Sequence, residues 1–152
     1  MTLALASLRA DEDAYPAFLE ALQHAGLPIN DLDGCARFYA GRNDGAIVAF
    51  GGLEGDGPDQ LLRSVVVPAP ARGGGYGRQF VQALMGQAHA NEAERLWLLT
   101  ISADGFFARL GWTTVDRASA PEGPARVSGL FSGALRAGAV FGGASVAPWG
   151  VA

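Results

Sequence analysis

The stretch from Leu61 to Phe80, LLRSVVVPAPARGGGYGRQF, constrains this chain more than any other. An unbroken apolar run meets two prolines, then glycine at 73, 74, 75 and 77, then a segment with helical periodicity. A strand, a glycine turn and a helix in that order gather backbone N–H groups and a helix N-terminus around one point, a geometry that holds phosphate or pyrophosphate. An anionic cofactor is therefore the first expectation. Dinucleotide binding of the Rossmann type needs GxGxxG. The sixth position is Arg78 counted from Gly73 and Phe80 counted from Gly75, so that fingerprint fails in both registers. All eleven basic residues are arginine; without lysine, neither a Walker-type phosphate loop nor a lysine Schiff base can form.

The totals bound the class. A chain of 152 residues fits one domain with a continuous core. At 49% hydrophobic and 17% charged it is too apolar for disorder, and no run approaches the roughly 20 apolar residues of a membrane span. We expect a soluble protein. Its formal net charge of −4 argues against bulk attraction to nucleic acid or an anionic membrane. The start, MTLALASLRADEDAY, lacks a basic region and reads as a strand rather than a signal peptide. The single cysteine, Cys35, excludes an internal disulfide and a multi-cysteine metal site and suits a reducing cytoplasm. His24 and His89 fall on separate predicted helices without neighbouring ligands, and no metal site is expected.

Taken in order, Leu3 to Arg9 predicts a first strand, and Asp11, Glu12 and Asp13 place acid at the start of a helix. Pro16 lies in its first turn, its apolar face carries Tyr15, Phe18, Leu19 and Leu22, and Gly26 and Pro28 end it. Asn30 to Gly34 suggests a brief turn. Ala36 to Gly41 and Ala46 to Leu53 predict a hairpin, since Asp44-Gly45 tolerates the positive backbone angles of a tight turn. Leu61 to Val67 is a fourth strand; Phe80, Val81, Leu84, Met85 and Ala88 form one helical stripe; Arg95 to Ile101 is a fifth strand. The helical crossover predicts that the fourth and fifth strands run parallel. Ser102 caps a helix over Ala103 to Leu110, Trp112 to Arg117 is a sixth strand, and Arg126 to Phe131 is available as a seventh. The expected domain covers residues 1–132. The Gly/Ala-rich tail, 133–152, stays open between a final strand, a partner contact and a frayed end.

With these residues in view, the chain resembles the GNAT superfamily of acyl-CoA N-acyltransferases. That superfamily's signature is Arg or Gln, two residues, Gly, one residue, then Gly or Ala at a strand-to-helix junction; here it stands as Arg72, Gly73, Gly74, Gly75, Tyr76, Gly77. LLRSVVVP before it, LWLLT after it and the later FFARLGW follow in the expected order. Within the superfamily, LLRSVVV, RGGGYG, LWLLTISADGFFARLGW and DRASAP look like the N-acetyltransferases associated with arsenic resistance, although SGLFSGALRAG stands where such members tend to carry a Cys-Pro pair. The resemblance implies an α/β (α+β) fold: a mixed, mainly antiparallel sheet of six to seven strands flanked by helices. Strands four and five would splay to admit acetyl-CoA as co-substrate. It also implies a small-molecule amine acceptor and makes a homodimer a reasonable assembly.

The implied site is specific. Amides of Gly73, Gly74, Gly75, Tyr76, Gly77 and Arg78, with the side chains of Arg72 and Arg78, would meet the coenzyme A pyrophosphate. The backbone of Val65, Val66 and Val67 would pair with the pantetheine arm as an added strand does. Many members place a tyrosine on the short helix after the fifth strand as general acid; the matching, cofactor-lining position here is Phe107, which has no proton to give. Glu54, ending the third strand, is the candidate base acting through water, against the plainer reading of a loop carboxylate. Arg63 sits inside a central strand, so it should either have a carboxylate partner or face the acceptor, where its fork would suit a carboxylate, phosphinate or arsenical oxyanion. Arg117 and Ser128 are placed near the same mouth. The function expected is acetyl transfer to a small, anionic amine; the alternative is an acyl-CoA-binding sensor that has lost catalysis.

Overall fold

Asp44 and Gly45 both take positive φ, 52° and 83°, so the hairpin closes through a two-residue turn that matches the twist of its strands. In the computed structural model, which describes residues 3–26, 29, 36–55, 57–100, 104–110, 112–115 and 139–145, the first strand of the hairpin runs two residues further into the turn than the sequence suggests, and the second starts where expected and ends one residue later. They are β2 (Ala36–Asn43) and β3 (Ala46–Glu54), with a bulge between Gly41 and Arg42. β1 (Ala4–Leu8) lies antiparallel to β2, and β4 (Asp59–Val66) antiparallel to β3.

Helix α1 (Tyr15–His24) follows β1, with no acidic residue in its first turn. The expected acidic start lies before the helix: Glu12 Oε1 instead accepts the Arg9 backbone N–H at 3.0 Å, and Asp11 pairs with Arg9 at 3.5 Å. Helix α2 (Tyr76–Ala90) connects β4 to β5 (Arg95–Thr100), and those two strands are parallel, as the crossover predicts. Helix α3 (Asp104–Arg109) leads to β6 (Thr113–Val115). β7 (Ala139–Ser145), from within the glycine-rich tail, slots antiparallel between β5 and β6. Among the described residues the sheet therefore has seven strands in the order β1-β2-β3-β4-β5-β7-β6. Arg126 to Phe131, Asn30 to Gly34, Pro28, Ser102 and Cys35 lie outside the described residues.

Each face of the sheet has its own core. On one, Phe80, Val81, Leu84, Met85 and Ala88 of α2 are buried against Tyr39, Ala49, Leu53, Leu62, Leu96 and Leu98, the stripe its spacing predicts. A Cβ at Gly41 or Gly51 would stand 2.8 or 2.7 Å from the Phe80 ring, so those glycines make the hollow that seats it. On the other face, Phe18 and Leu22 of α1 are fully buried over Phe38, Phe50 and Val66, with Phe18 ring centroids 5.2 and 5.3 Å from those of Phe38 and Phe50. Removing a ring in such a position costs about 3–5 kcal/mol.

Candidate cofactor and acceptor site

Strands β4 and β5 pair only through Asp59 with Arg95, Gln60 with Leu96 and Leu61 with Trp97. Both continue, to Val66 and Thr100, without further pairing to each other. The sheet thus opens as a V. Along its β4 arm, backbone groups that a ladder would satisfy face the gap, and an extended ligand can supply what β5 does not.

The closed end is held by side chains. Asp59 Oδ1 accepts from Arg95 Nε and from Trp97 Nε1, each at 2.9 Å, and Oδ2 accepts from Arg95 Nη2 at 3.3 Å. The hydrogen bond to Asp59, with the carboxylate's charge, raises the Arg95 pKa above its ordinary value. Beside it the fully buried Gln60 donates to the carbonyls of Gly57 and Asn91 and accepts from Arg37 Nη2 at 2.9 Å, tying the β3–β4 turn to the end of α2.

Along the β4 arm the register with β3 shifts between Gly52 opposite Arg63 and Phe50 opposite Val66, and Ser64 takes φ 57°. This is a bulge with a non-glycine residue in the left-handed region, a conformation that costs about 1–3 kcal/mol and recurs beside functional sites. Arg63 Nε donates to Ser64 Oγ at 3.2 Å across it. Val66 is buried on the α1 face, whereas Val65 and Val67 are partly buried on the α2 face.

Beyond β4, Ala69–Ala71 make one tight turn, Arg72 is extended, and Gly73 and Gly75 take φ 87° and 77°. Among the described residues, a Cβ at either glycine would meet nothing within 4 Å, so the space beside each is open. No side chain among the described residues caps α2, whose first N–H groups belong to Tyr76, Gly77 and Arg78. An anion placed there would satisfy those donors and the helix dipole together. Arg72 and Arg78 are exposed, and Arg72 Nε is held by the Val67 carbonyl at 3.0 Å.

Glu54 and Arg63, assigned separate roles from sequence, meet as one ion pair. Arg63 Nη1 donates to Glu54 Oε1 at 2.6 Å, with the two residues only 6% and 7% exposed, and the guanidinium lies 5.9 Å from the Phe38 ring centroid. The carboxylate partner that a buried arginine requires is therefore Glu54. Phe107 is buried in the α2-face core, its ring edge-on to Phe106 and Trp112. The aromatic beside the loop is Phe106: a Cβ on Gly77 would come 3.4 Å from Phe106 Cζ and 3.6 Å from Val67 Cγ2. Sequence reasoning missed Phe106 because α3 has six residues, too few for periodicity to say which phenylalanine turns inward. Arg117 and Ser128 lie outside the described residues.

Known proteins share this architecture. N-acetylglutamate synthase from Neisseria gonorrhoeae, complexed with coenzyme A and L-arginine, superposes with a TM-score of 0.73 at 16% identity. The match covers 93% of this chain and 32% of that one, so the chain spans about a third of the synthase's length. A Mycobacterium tuberculosis protein in complex with CoA gives a TM-score of 0.66 at 19% identity, covering 90% and 97% of the two chains. A GNAT-family acetyltransferase from Staphylococcus aureus gives 0.66 at 16% identity, covering 91% and 98%. A search of curated protein sequences found no match. Over residues 34–114, which carry the hairpin, the V, the glycine loop and α3, the sequence matches the family model described as an acetyltransferase (GNAT) domain, and the chain belongs to that family.

Proposed function

We propose that the protein is an acetyl-CoA-dependent N-acetyltransferase acting on the amine of a small, anionic molecule. One observation carries this reading: the opening between β4 and β5 and the uncapped start of α2, fronted by two positive-φ glycines, follow one another on the same stretch of chain. Together they offer a strand-like partner for a pantetheine arm and a donor-rich end for a pyrophosphate. In the reaction the amine nitrogen attacks the thioester carbonyl, the C–S bond breaks, coenzyme A leaves as thiolate and the nitrogen gives up one proton. Glu54, reached through water, takes that proton. Arg63 holds the Glu54 carboxylate with one Nη, and the other edge of its planar fork would suit an acceptor bearing a carboxylate, phosphinate or arsenical oxyanion beside its amine. Departure without a tyrosine acid at Phe107 is supported by the ordinary acidity of a thiol, near roughly 8.5.

Coenzyme A release from acetyl-CoA, followed against a panel of small amines and amino-acid oxyanion analogues, tests the proposal. Turnover is expected on an anionic amine, falling about 10²- to 10⁴-fold in kcat in Glu54→Gln with acetyl-CoA affinity retained. Tight acetyl-CoA binding with no turnover on any acceptor would instead support a non-catalytic acyl-CoA sensor, the reading that the buried, hydroxyl-free Phe107 favours.

A further inference from the structure

Tyr76 does something that its place in the glycine signature does not require. Its hydroxyl accepts a hydrogen bond from Asn43 Nδ2 at 2.8 Å, although Asn43 ends β2, 33 positions earlier. Its ring lies against Gly74, where a Cβ would stand 2.8 Å from Tyr76 Cε2 and 3.1 Å from Cδ2. Asn43 is itself fixed, paired with Ala46 across the two-residue turn, and Arg42 Nη1 donates to the Gly45 carbonyl of the same turn at 2.9 Å. Among the described residues, the loop's other side-chain tie is Arg72 Nε to the Val67 carbonyl at 3.0 Å. The loop's flanking backbone bonds run from Arg72 N–H to the Ala69 carbonyl and from Gln79 N–H to the Gly75 carbonyl, on either side of Gly73 and Gly74.

We infer that Asn43 and Tyr76 form a positioning pair: the β2–β3 hairpin anchors the tyrosine ring, and the ring holds the glycine loop in the shape that receives the pyrophosphate. This rests on the proposed binding of acetyl-CoA. Three successive glycines lose more conformational freedom on ordering than any other residues, so a loop shaped before the ligand arrives binds more tightly than one shaped by it. The pair joins the hairpin turn to the loop at Gly74, so its effect should fall on the pyrophosphate end of the ligand and leave the acetyl end alone.

Acetyl-CoA and S-acetylpantetheine, which lacks the pyrophosphate, separate this role from general stability. In Tyr76→Phe, which keeps the ring under Gly74, and in Asn43→Ala, the Kd for acetyl-CoA should rise roughly three- to tenfold, the range of one net hydrogen bond. The double variant should be no weaker than the worse single one, because both remove the same bond. In Asn43→Ala, which lies outside the glycine loop, the KM for S-acetylpantetheine and kcat at saturating acetyl-CoA should stay at wild-type values. Equal weakening of both ligands, or unchanged acetyl-CoA affinity in both single variants, would overturn the pair's assignment while leaving the proposed function standing. A wild-type protein that binds no acetyl-CoA would overturn that function and this inference with it.

Discussion

At the scale of single residues, the buried pair of Glu54 and Arg63 carries a large energetic stake. Two charges with side chains only 8% and 3% exposed are tolerable because each neutralises the other, and removing one strands its partner. Glu54→Ala should therefore lower stability to urea by about 3–5 kcal/mol, with Glu54→Gln milder because the amide oxygen still accepts from Arg63. A double-mutant cycle with Arg63→Ala should recover part of the loss. A Glu54→Ala variant as stable as wild type would remove the pair from the structural core. Sequence alone could demand a carboxylate for Arg63 but could not name it. The two meet diagonally across β3 and β4, where Gly52 lies opposite Arg63 and Glu54 opposite Leu61, a register that an apolar run does not specify by itself. Just beyond it comes the bulge at Ser64, and serine carries no mark of positive φ as glycine does. Ser64→Gly should accordingly be about 1 kcal/mol more stable than Ser64→Ala, which equally removes the hydroxyl that accepts from Arg63, whereas equal midpoints for the two variants would contradict the strained backbone there.

At the scale of elements, the V between β4 and β5 depends on its closed end. Asp59→Ala removes the acceptor of the Trp97 indole N–H and of Arg95, and should cost about 1–3 kcal/mol while weakening acetyl-CoA binding. Destabilisation without any change in affinity would show that the clamp does not shape the opening. The sign of any pH effect from Arg95 follows from its raised pKa. Its contribution is fully present below the ordinary arginine value and is lost only as the pH climbs through the higher folded value, so it is constant across the neutral range. Much at this scale was legible. The α2 stripe and the hairpin follow from periodicity and from Asp44-Gly45, both local signals. The start of α1 was legible from Pro16, which lies in its first turn, but the three acidic residues read as part of that turn fall just ahead of it. Here Glu12 closes a turn on Arg9 before the helix begins.

At the scale of the whole molecule, the order of elements and the glycine signature carried the family, while the assignment of the tail did not follow from its composition. Ala139 to Ser145 contains two adjacent glycines and no alternation of polar and apolar residues, yet it is inserted between β5 and β6, where its neighbours rather than its own pattern decide that it is a strand. The central claim is that this fold presents one acetyl-CoA site, with the glycine loop and the start of α2 at its phosphate end. Gly75→Asp isolates that claim. Aspartate at this position is a favourable helix cap, and at φ 77° it is among the residues that bear the left-handed backbone best, so folding should survive. Its carboxylate would nonetheless occupy the open space beside that position and repel a pyrophosphate. The most direct measurement is titration calorimetry of acetyl-CoA into the wild-type chain and this variant. One molecule bound per wild-type chain, and affinity at least about tenfold weaker in Gly75→Asp, is the expected result, whereas no binding to wild type or equal affinity in both would contradict it.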